Sequence, residues 1–422
     1  MVRTSNPSRK RIMNLQLSIT NSSEKTTFEP LEKGVVRMYH CGPTVTESIN
    51  INKFRAYLLG DLLRRYFEFH GLKVHQVMNL TDVGHLNEFG EDALEIAAGR
   101  TGRLPEELAD EAIGAFHEDR KELRILDAHE YPRAHDNVAE MVELIRKLEE
   151  AGVVYESGNN RYFDVEKAAS YGALSAKTLE ELRESGEVSS DDKESPKRHP
   201  LDIDLWRTDI LHQLHWQSPW GLGFPGWHLE CVAMSRRFLG KTFDIHTGSE
   251  ENIFPHHECE IALAEASEGE PLARHWQHCG HVLIDGKTVS RSNKNFLTVD
   301  GLRSADVKGV EIRGALLSKH YRQRLDFHYD LVEAARSKIQ RLNEAAARLA
   351  NAEPADNASA VRERLGAVET KFCNALDDDL DYPSALDTAL SLADDVISGS
   401  CPPCSEALET LRRLDQVLAL LA

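Results

Sequence analysis

The sequence predicts a mixed α/β protein in which a parallel-sheet domain carries an insertion and is followed by an all-α helical bundle. Three observations support this fold class. Near the start of the chain a strand, a helix and a second strand follow one another, which is the βαβ order of a parallel sheet. A polar stretch without regular periodicity interrupts the middle of the chain. From residue 330 onward, apolar residues recur at intervals of three and four, as in packed helices.

The first βαβ unit begins with a largely apolar run at residues 35–41, which is typical of a buried strand. Residues 54–70 have helical periodicity, and residues 73–80 form the next predicted strand. Ligands of such sheets bind outside the carboxyl ends of the strands. Cys41 and Thr81 follow the two strands, so both are predicted to lie at a ligand site.

The middle of the chain is predicted to leave the sheet domain and then return to it. Helical patterns cover residues 89–125 and 134–152, and a hairpin covers 153–165. Residues 167–203 are polar and poor in pattern, and a loop is predicted over 184–200. Residues 201–207 are expected to return to the core of the sheet domain. These patterns divide the chain into five predicted parts, in order: the first half of the sheet domain 1–125, a connective insertion 126–205, the second half 206–295, a connector 296–329 and the helical bundle 330–422.

Two more strands and four helices complete the prediction. Residues 241–248 are predicted to form a strand, and residues 281–295 a strand with a loop. Cys401 and Cys404 have the spacing of a redox or metal pair, but no second pair accompanies them, so a surface loop between helices is expected. The predicted helices of the bundle are 330–350, 358–376, 384–398 and 403–421.

Composition excludes several classes of protein. The chain has 422 residues, of which 41% are hydrophobic and 28% charged, as in a soluble globular protein of several domains. The net charge of −19 argues against broad non-specific binding to nucleic acid, although a local basic surface is compatible with it. Seven unevenly spaced cysteines do not suggest a disulfide framework, and no apolar run is long enough to span a membrane. We expect a cytoplasmic protein that does not bind membranes, and a monomer.

The chemistry is concentrated between residues 226 and 260. This stretch contains Cys231, His256 and Glu260, and Cys41 lies far upstream. Thiolate, imidazole and carboxylate donors together suit Zn²⁺. In a helix, His256 and Glu260 would share one face because they are four residues apart. Taken singly, each residue has an ordinary structural alternative, namely a buried thiol, a capping imidazole or a solvated carboxylate; the set as a whole favours a metal site.

Four longer motifs, CGPTV, NLTDVG, SPWGLGFPGWHLECVAMS and FPHHECEIALAEA, resemble those of cysteinyl-tRNA synthetases. They also resemble a related ligase that joins cysteine to a glucosaminyl-inositol in mycothiol synthesis. The resemblance extends from about Met38 to the C-terminus and implies a class I synthetase Rossmann-type domain. It implies that zinc binds the substrate thiolate and is itself held by Cys41, Cys231, His256 and Glu260. The substrate-binding residues that it implies are Gly42, Thr44, Thr81 and Trp227.

The sequence departs from this family at the segments that face ATP. The HIGH signature falls on Asn50-Ile51-Asn52-Lys53, and KMSKS becomes Thr288-Val289-Ser290-Arg291-Ser292. A glycine-rich segment near the adenosine becomes 246–251, with two glycines replaced and an acidic residue added. The resemblance assigns catalytic roles to five residues: Asn50, Lys53, Ser290, Arg291 and Ser292. It assigns nucleotide binding to four others: His246, Gly248, Glu251 and Lys287.

Three functions follow from this resemblance. The first is an ATP-dependent cysteine ligase that uses Mg²⁺ with ATP and transfers cysteine to tRNA. The second is a zinc-dependent cysteine-binding paralogue that has lost adenylation. The third is a cysteine ligase that acts on a small amine. Full synthetases of the family carry a further small domain that reads the anticodon, and this sequence ends after the helical bundle, so tRNA is retained as one of two acceptors.

Overall fold

The computed structural model describes residues 13–46, 48–84, 92–184, 196–208, 212–290, 292–355 and 357–422. The strands, in chain order, are β1 Gln16–Ser18, β2 Lys25–Thr27, β3 Val35–His40, β4 Lys73–Met78, β5 Val154–Ser157, β6 Asn160–Phe163, β7 Ile203–Arg207, β8 Trp216–Ser218, β9 Gly221–Pro225, β10 Phe243–Ser249, β11 Ala273–Cys279, β12 Val282–Ile284, β13 Lys287–Thr288 and β14 Leu325–Asp326. The α-helices are α1 Ile51–Phe69, α2 Ala93–Thr101, α3 Pro105–Glu122, α4 Val138–Glu150, α5 Leu179–Glu184, α6 Trp227–Leu239, α7 Glu258–Glu268, α8 Val299–Ser304, α9 Gly309–Leu316, α10 Tyr329–Leu349, α11 Ala358–Asp377, α12 Tyr382–Ser398 and α13 Ser405–Leu418.

The centre of the molecule is a parallel sheet with the strand order β11-β10-β3-β4. The two central strands are buried along most of their length, although β10 contains several polar residues, as expected when helices cover both faces. His40 pairs with Met78 on one side and with Thr247 on the other, so β3, β4 and β10 end at one edge. Beyond this edge, Thr81 N–H donates to the Pro43 carbonyl at 3.0 Å. The loops after β3 and β4 are therefore held side by side, and the predicted α/β fold is confirmed.

A second, antiparallel sheet has the strand order β5-β6-β7-β9-β8. Residues 201–207 return to the core as predicted, since Leu205 and Trp206 are buried in one cluster with Tyr39 of the parallel sheet. The strand β7 itself pairs with β6 and β9 in this second sheet. The sheet extends from Val154 to Pro225 and thus crosses the predicted boundary between 205 and 206. The short helix α5 precedes the loop predicted over 184–200, and residues 185–195 of that loop lie outside the described part of the chain.

The connector is fixed to α1 by a buried arginine. Arg55 is 1% exposed, and its guanidinium donates to the carbonyls of Leu316, Gly280 and Gln323 at 2.7–3.0 Å. Two of these carbonyls belong to the connector, so Arg55 joins α1 to the connector by direct hydrogen bonds. Gly314 of α9 in turn packs against Ala335 of the bundle, where a Cβ at position 314 would lie 3.0 Å from the Ala335 Cβ.

The C-terminal bundle consists of α10 to α13, in agreement with the four predicted helices. The loop between α12 and α13 corrects one expectation, because Cys401 and Cys404 are each only 2% exposed. Pro402 and Pro403 between them are exposed, so the prolines and not the thiols form the surface of this loop. Within the described residues, no helix combines the length and apolar character needed to cross a membrane.

Candidate active site

Four buried side chains meet at the carboxyl edge of the parallel sheet. Cys41 directly follows β3, Cys231 lies in α6, and His256 and Glu260 flank the start of α7. Their exposed fractions range from 0% to 9%. One ligand atom of each residue lies within 4.8 Å of the ligand atoms of the other three. The structure therefore brings together the four residues predicted as metal ligands from three distant parts of the chain.

The spacing of the four donor atoms matches a tetrahedral metal ion. The sulfurs of Cys41 and Cys231 are 3.8 Å apart, and Cys231 Sγ lies 3.5 Å from His256 Nε2. Glu260 Oε1 lies 3.6 Å from Cys41 Sγ and 3.0 Å from His256 Nε2. Tetrahedral zinc, with Zn–S bonds of about 2.3 Å and Zn–N bonds of about 2.05 Å, requires about 3.8 Å between two sulfurs and about 3.6 Å between sulfur and nitrogen. All three distances that involve sulfur fit this geometry, whereas the 3.0 Å between Glu260 Oε1 and His256 Nε2 is shorter than the required value of about 3.4 Å.

The close contacts of the cluster shift the pKa values of all four side chains. Burial raises the pKa of the Glu260 carboxyl, but His246 and His256 beside it bring that pKa down to about 2. The hydrogen bond from the Cys41 thiol lowers the pKa of Cys231 to about 6, although burial opposes this shift. Burial and the same contact raise the pKa of Cys41. Burial lowers the pKa of His256, but Glu260 and Cys231 beside it raise that pKa to about 10. Cys41 and His256 must therefore each lose a proton when a metal binds, whereas the Glu260 carboxylate is already ionised at neutral pH.

A second donor set shares Cys41 and Glu260 with the first and adds His246 and His257. His246 Nε2 lies 2.9 Å from Glu260 Oε2, and His257 Nε2 lies 3.3 Å from Cys41 Sγ. His257 Nδ1 is within 2.7 Å of His278 Nε2. The sequence analysis did not single out His257 or His278, although the histidine doublet at 256–257 was a visible signal. These imidazoles surround the cluster and fix the orientation of its carboxylate.

A cavity of about 230 Å³ adjoins the metal-ligand cluster. All four predicted substrate-binding residues line it: Gly42, Thr44, Thr81 and Trp227. The indole ring of Trp227 stacks on the His256 imidazole, with a centroid separation of 4.3 Å and an interplanar angle of 18°. One wall of the cavity thus also holds a metal ligand in place.

Asn79 organises the opposite wall and was missed by the sequence analysis. Its Oδ1 accepts a hydrogen bond from Gly42 N–H at 2.9 Å, and its Nδ2 donates to Thr81 Oγ1 at 3.0 Å. A Cβ at position 42 would lie 1.7 Å from the Asn79 carbonyl oxygen, which explains the glycine. The signal was the position of Asn79 just after β4 within the NLTDVG motif.

The first turn of α1 forms a further wall, which Asn50 and Lys53 line. Asn50 Oδ1 accepts hydrogen bonds from the backbone N–H groups of Asn52 at 3.0 Å and Lys53 at 3.2 Å. Ile51 N–H donates to the Leu297 carbonyl at 3.0 Å. The donors that a helix start usually leaves unpaired are therefore satisfied inside the protein.

The side chains of this turn are also engaged. Asn52 Oδ1 accepts a hydrogen bond from Val282 N–H at 2.8 Å. Lys53 Nζ forms an ion pair with Glu251, which lies just after β10, and the two side chains are 41% and 39% exposed. Burial raises the pKa of Glu251, but Lys53 brings it below its ordinary value, so the pair is ionised at neutral pH.

Comparison with known proteins decides the family. A profile described as "tRNA synthetases class I (C) catalytic domain" matches residues 27–337. Cysteine–tRNA ligase of Trichodesmium erythraeum is 38% identical over 394 residues, covering 91% of this chain and 79% of that protein. The Thermus thermophilus cysteine–tRNA ligase is 39% identical over 382 residues, covering 89% and 78%. The chain belongs to the class I cysteinyl-tRNA synthetase family. The predicted family and its enzyme class, an ATP-dependent cysteine ligase, are confirmed.

A solved structure agrees with this assignment at the level of the fold. Mycobacterium tuberculosis methionyl-tRNA synthetase in complex with methionyl-adenylate superposes with a TM-score of 0.63, over 91% of this chain and 88% of that one. The two sequences are 14% identical, so this likeness concerns the fold alone. The predicted class I synthetase Rossmann-type domain is thereby confirmed.

Within the cysteinyl-tRNA synthetase fold, the predicted nucleotide-binding residues are dispersed. His246 is fully buried beneath the cluster and stacks on Trp276, and Gly248 packs under His257, where a Cβ would lie 2.6 Å from the imidazole Cε1. Thr247, which replaces one of the family's glycines, is buried against His40 instead of facing the cavity. Glu251 alone of the predicted set reaches the cavity wall, through Lys53.

The second signature segment lies apart from the cavity lining. Ser290 Oγ and Ser292 Oγ are 3.0 Å apart in a turn after β13, and Lys287 is exposed. None of these three described residues lines the cavity. Arg291, also predicted as catalytic, lies outside the described residues.

Proposed function

We propose that the protein binds cysteine through zinc, activates it with ATP and transfers it to tRNA. One observation carries the proposal: four donor atoms with tetrahedral spacing adjoin a cavity of about 230 Å³. Sites for drug-sized ligands usually have volumes of about 300–1,000 Å³. The cavity is therefore of a size suited to an amino acid.

The zinc ligands in this proposal are Cys41, Cys231, His256 and Glu260. When bound, zinc supplies a soft acceptor that prefers a thiolate to the hydroxyl of serine. Neighbouring side chains hold two of these donors in place. His246 contacts the Glu260 carboxylate, and the Trp227 ring stacks on the His256 ring. A pocket built around a bond to sulfur rejects serine without a separate editing site.

The rest of the cavity positions the amino acid. Gly42 allows the Asn79 backbone to approach closely. The hydroxyls of Thr44 and Thr81 would provide polar contacts to the amino acid, and Trp227 would exclude water from one side of the cavity. The carboxylate of cysteine would attack the α-phosphate of ATP, bound with Mg²⁺, and pyrophosphate would leave. A hydroxyl group of tRNA would then attack the cysteinyl carbonyl, forming an ester bond and releasing AMP. The segments that would approach ATP are Asn50–Lys53, Lys287 and Ser290–Ser292.

The state of α1 favours a second candidate, a cysteine-binding paralogue that has lost adenylation. The backbone donors of Ile51, Asn52 and Lys53 are already satisfied, and the Lys53 ammonium faces Glu251. Cationic groups and N–H donors aimed at the phosphates normally stabilise the charge that develops during adenylation. Their engagement within the protein supports binding of cysteine without activation.

Cysteine-dependent ATP–pyrophosphate exchange on zinc-loaded protein tests the proposal. We expect exchange by the unmodified protein, loss of exchange in Cys231→Ser, and normal exchange in Cys373→Ser, a matched buried cysteine in the bundle. Zinc-dependent cysteine binding without exchange would support the second candidate. With exchange established, charging of tRNA compared with small amines identifies the acceptor.

A further inference from the structure

We infer that Lys53 binds the α-carboxylate of the amino acid held in the cavity, and that Glu251 occupies Lys53 until the amino acid arrives. The inference rests on the proposed binding of cysteine but not on ATP activation. It refines the role proposed above for residues 50–53, because it assigns Lys53 to the carboxylate of the amino acid and not to a phosphate group of ATP.

The first argument is the charge of the cavity. A metal-bound cysteine has two other charged groups, its α-ammonium and its α-carboxylate. Among the described residues that line the cavity, Lys53 is the single lysine or arginine. The backbone N–H groups in the first turn of α1 are not available to a ligand, because they already donate to Asn50 Oδ1 and to the Leu297 carbonyl. Lys53 is therefore the cation available to a carboxylate.

The second argument concerns space. A cavity of about 230 Å³ that is partly filled by the side chain of cysteine leaves little room for a triphosphate. The carboxylate of an amino acid held by its thiolate remains inside this cavity. The lysine side chain has a flexible four-carbon stem and a compact charge, which allows its ammonium to turn from Glu251 towards the cavity.

The third argument is that the resting pair is weak. Lys53 and Glu251 are 41% and 39% exposed, and exposed ion pairs contribute little free energy. Separating Lys53 from Glu251 before the amino acid binds therefore lowers the affinity for the amino acid by at most about fivefold. A charge-assisted hydrogen bond to a carboxylate in the less exposed cavity is stronger than this, so exchange of partners favours the bound amino acid.

The test compares cysteine with cysteamine, which has the same thiol and amine but no carboxylate, by calorimetry on zinc-loaded protein. We expect the unmodified protein to prefer cysteine. Lys53→Met should weaken cysteine binding by roughly 10- to 100-fold and leave cysteamine binding and zinc content unchanged. Lys53→Arg should retain most of the preference. Lys25→Met is the matched control, since Lys25 is also ion-paired and is 38% exposed, and it should change neither affinity.

Each other outcome overturns the inference in a distinct way. Equal losses of cysteine and cysteamine binding in Lys53→Met would indicate a structural role. Unchanged cysteine affinity with weakened ATP binding would assign Lys53 to the phosphates. Failure of the unmodified protein to bind either thiol would remove the proposed function itself, and the inference with it. Glu251→Gln should strengthen cysteine binding by up to about fivefold; a weakened affinity would show that Glu251 binds the ammonium instead of competing for Lys53.

Discussion

Asp61 of α1 and Arg313 of α9 form an ion pair in the interior, with 2.7 Å between Asp61 Oδ2 and Arg313 Nη1 and with neither side chain exposed. Arg313 Nε also donates to the Leu418 carbonyl at 2.9 Å, and Leu126 N–H donates to Asp61 Oδ1 at 2.9 Å. The pair therefore joins the sheet domain, the connector and the last helix of the bundle at one point.

Replacement of Asp61 by leucine should strongly destabilise the protein, because Arg313 would remain buried and uncompensated. Breaking a buried pair in this way typically costs about 3–5 kcal/mol. Urea unfolding followed by circular dichroism measures the change in the free energy of unfolding. Glu122→Gln is the control, since its pair with Arg303 is partly exposed and should contribute no more than about 1 kcal/mol. Equal changes in the free energy of unfolding for the two substitutions would show that the buried pair contributes no more to stability than the partly exposed pair.

Asp61 should also make stability depend on pH in acid. Burial raises its pKa, but Arg313 and Arg65 outweigh burial and lower the pKa below the ordinary value. Its contribution is then fully present above the unfolded-state pKa of about 3.9. That contribution is lost as pH falls through the lower folded-state pKa. The difference in stability between the unmodified protein and Asp61→Asn should therefore shrink as pH falls below about 4. A difference that is constant between neutral pH and pH 3 would contradict this assignment.

Glu260→Ala should lower zinc affinity while the protein remains folded, because three donors are left. Removal of a residue that hydrogen-bonds to a metal ligand lowers metal affinity by roughly 10- to 100-fold. Removal of the ligand itself should lower zinc affinity at least as much. Competition with a chelator gives the affinity, and circular dichroism reports folding. X-ray absorption of the unmodified protein should show two protein sulfurs at about 2.3 Å from zinc. Global unfolding of the variant would instead make the site structural.

Gly42→Ala should abolish cysteine binding, since its Cβ would lie 1.7 Å from the Asn79 carbonyl oxygen and force the two loops apart. Gly114→Ala provides the matched control. No atom outside its own helix lies within 4 Å of a Cβ there, and alanine in a helix should stabilise the protein by about 0.5–1 kcal/mol. Calorimetry with cysteine compares the variants. Normal cysteine affinity in Gly42→Ala would mean that the loops containing Gly42 and Asn79 can separate without loss of the binding site.

Cysteine binding should release a proton. The free thiol has a pKa of about 8.5 and is mainly protonated at neutral pH, whereas a metal binds the thiolate. The observed binding enthalpy should then change with the ionisation enthalpy of the buffer, with a slope near one proton per site. A slope of zero would mean that the thiol binds without ionising.

Local patterns in the sequence were sufficient to predict the central features. The alternation of strand and helix gave β3, α1 and β4, and the contexts of Cys41, Cys231, His256 and Glu260 gave the cluster. The contacts between residues that are distant in the chain could not be predicted from the sequence. The pattern of residues 203–207 predicts a strand but cannot state which sheet receives it, because either partner satisfies the same hydrogen bonds. Thr247 was expected near the adenosine, and only the strand register shows that it faces His40.

The hydrogen bonds of Arg55 to the connector carry a mechanical consequence. Arg55 lies two residues after Lys53 in α1, and the connector that it grips packs on the bundle through Gly314 and Ala335. The first turn of α1, the connector and the bundle are thus linked by direct contacts. A shift of the bundle relative to the parallel sheet would have to break these contacts or move the wall of the cavity with it.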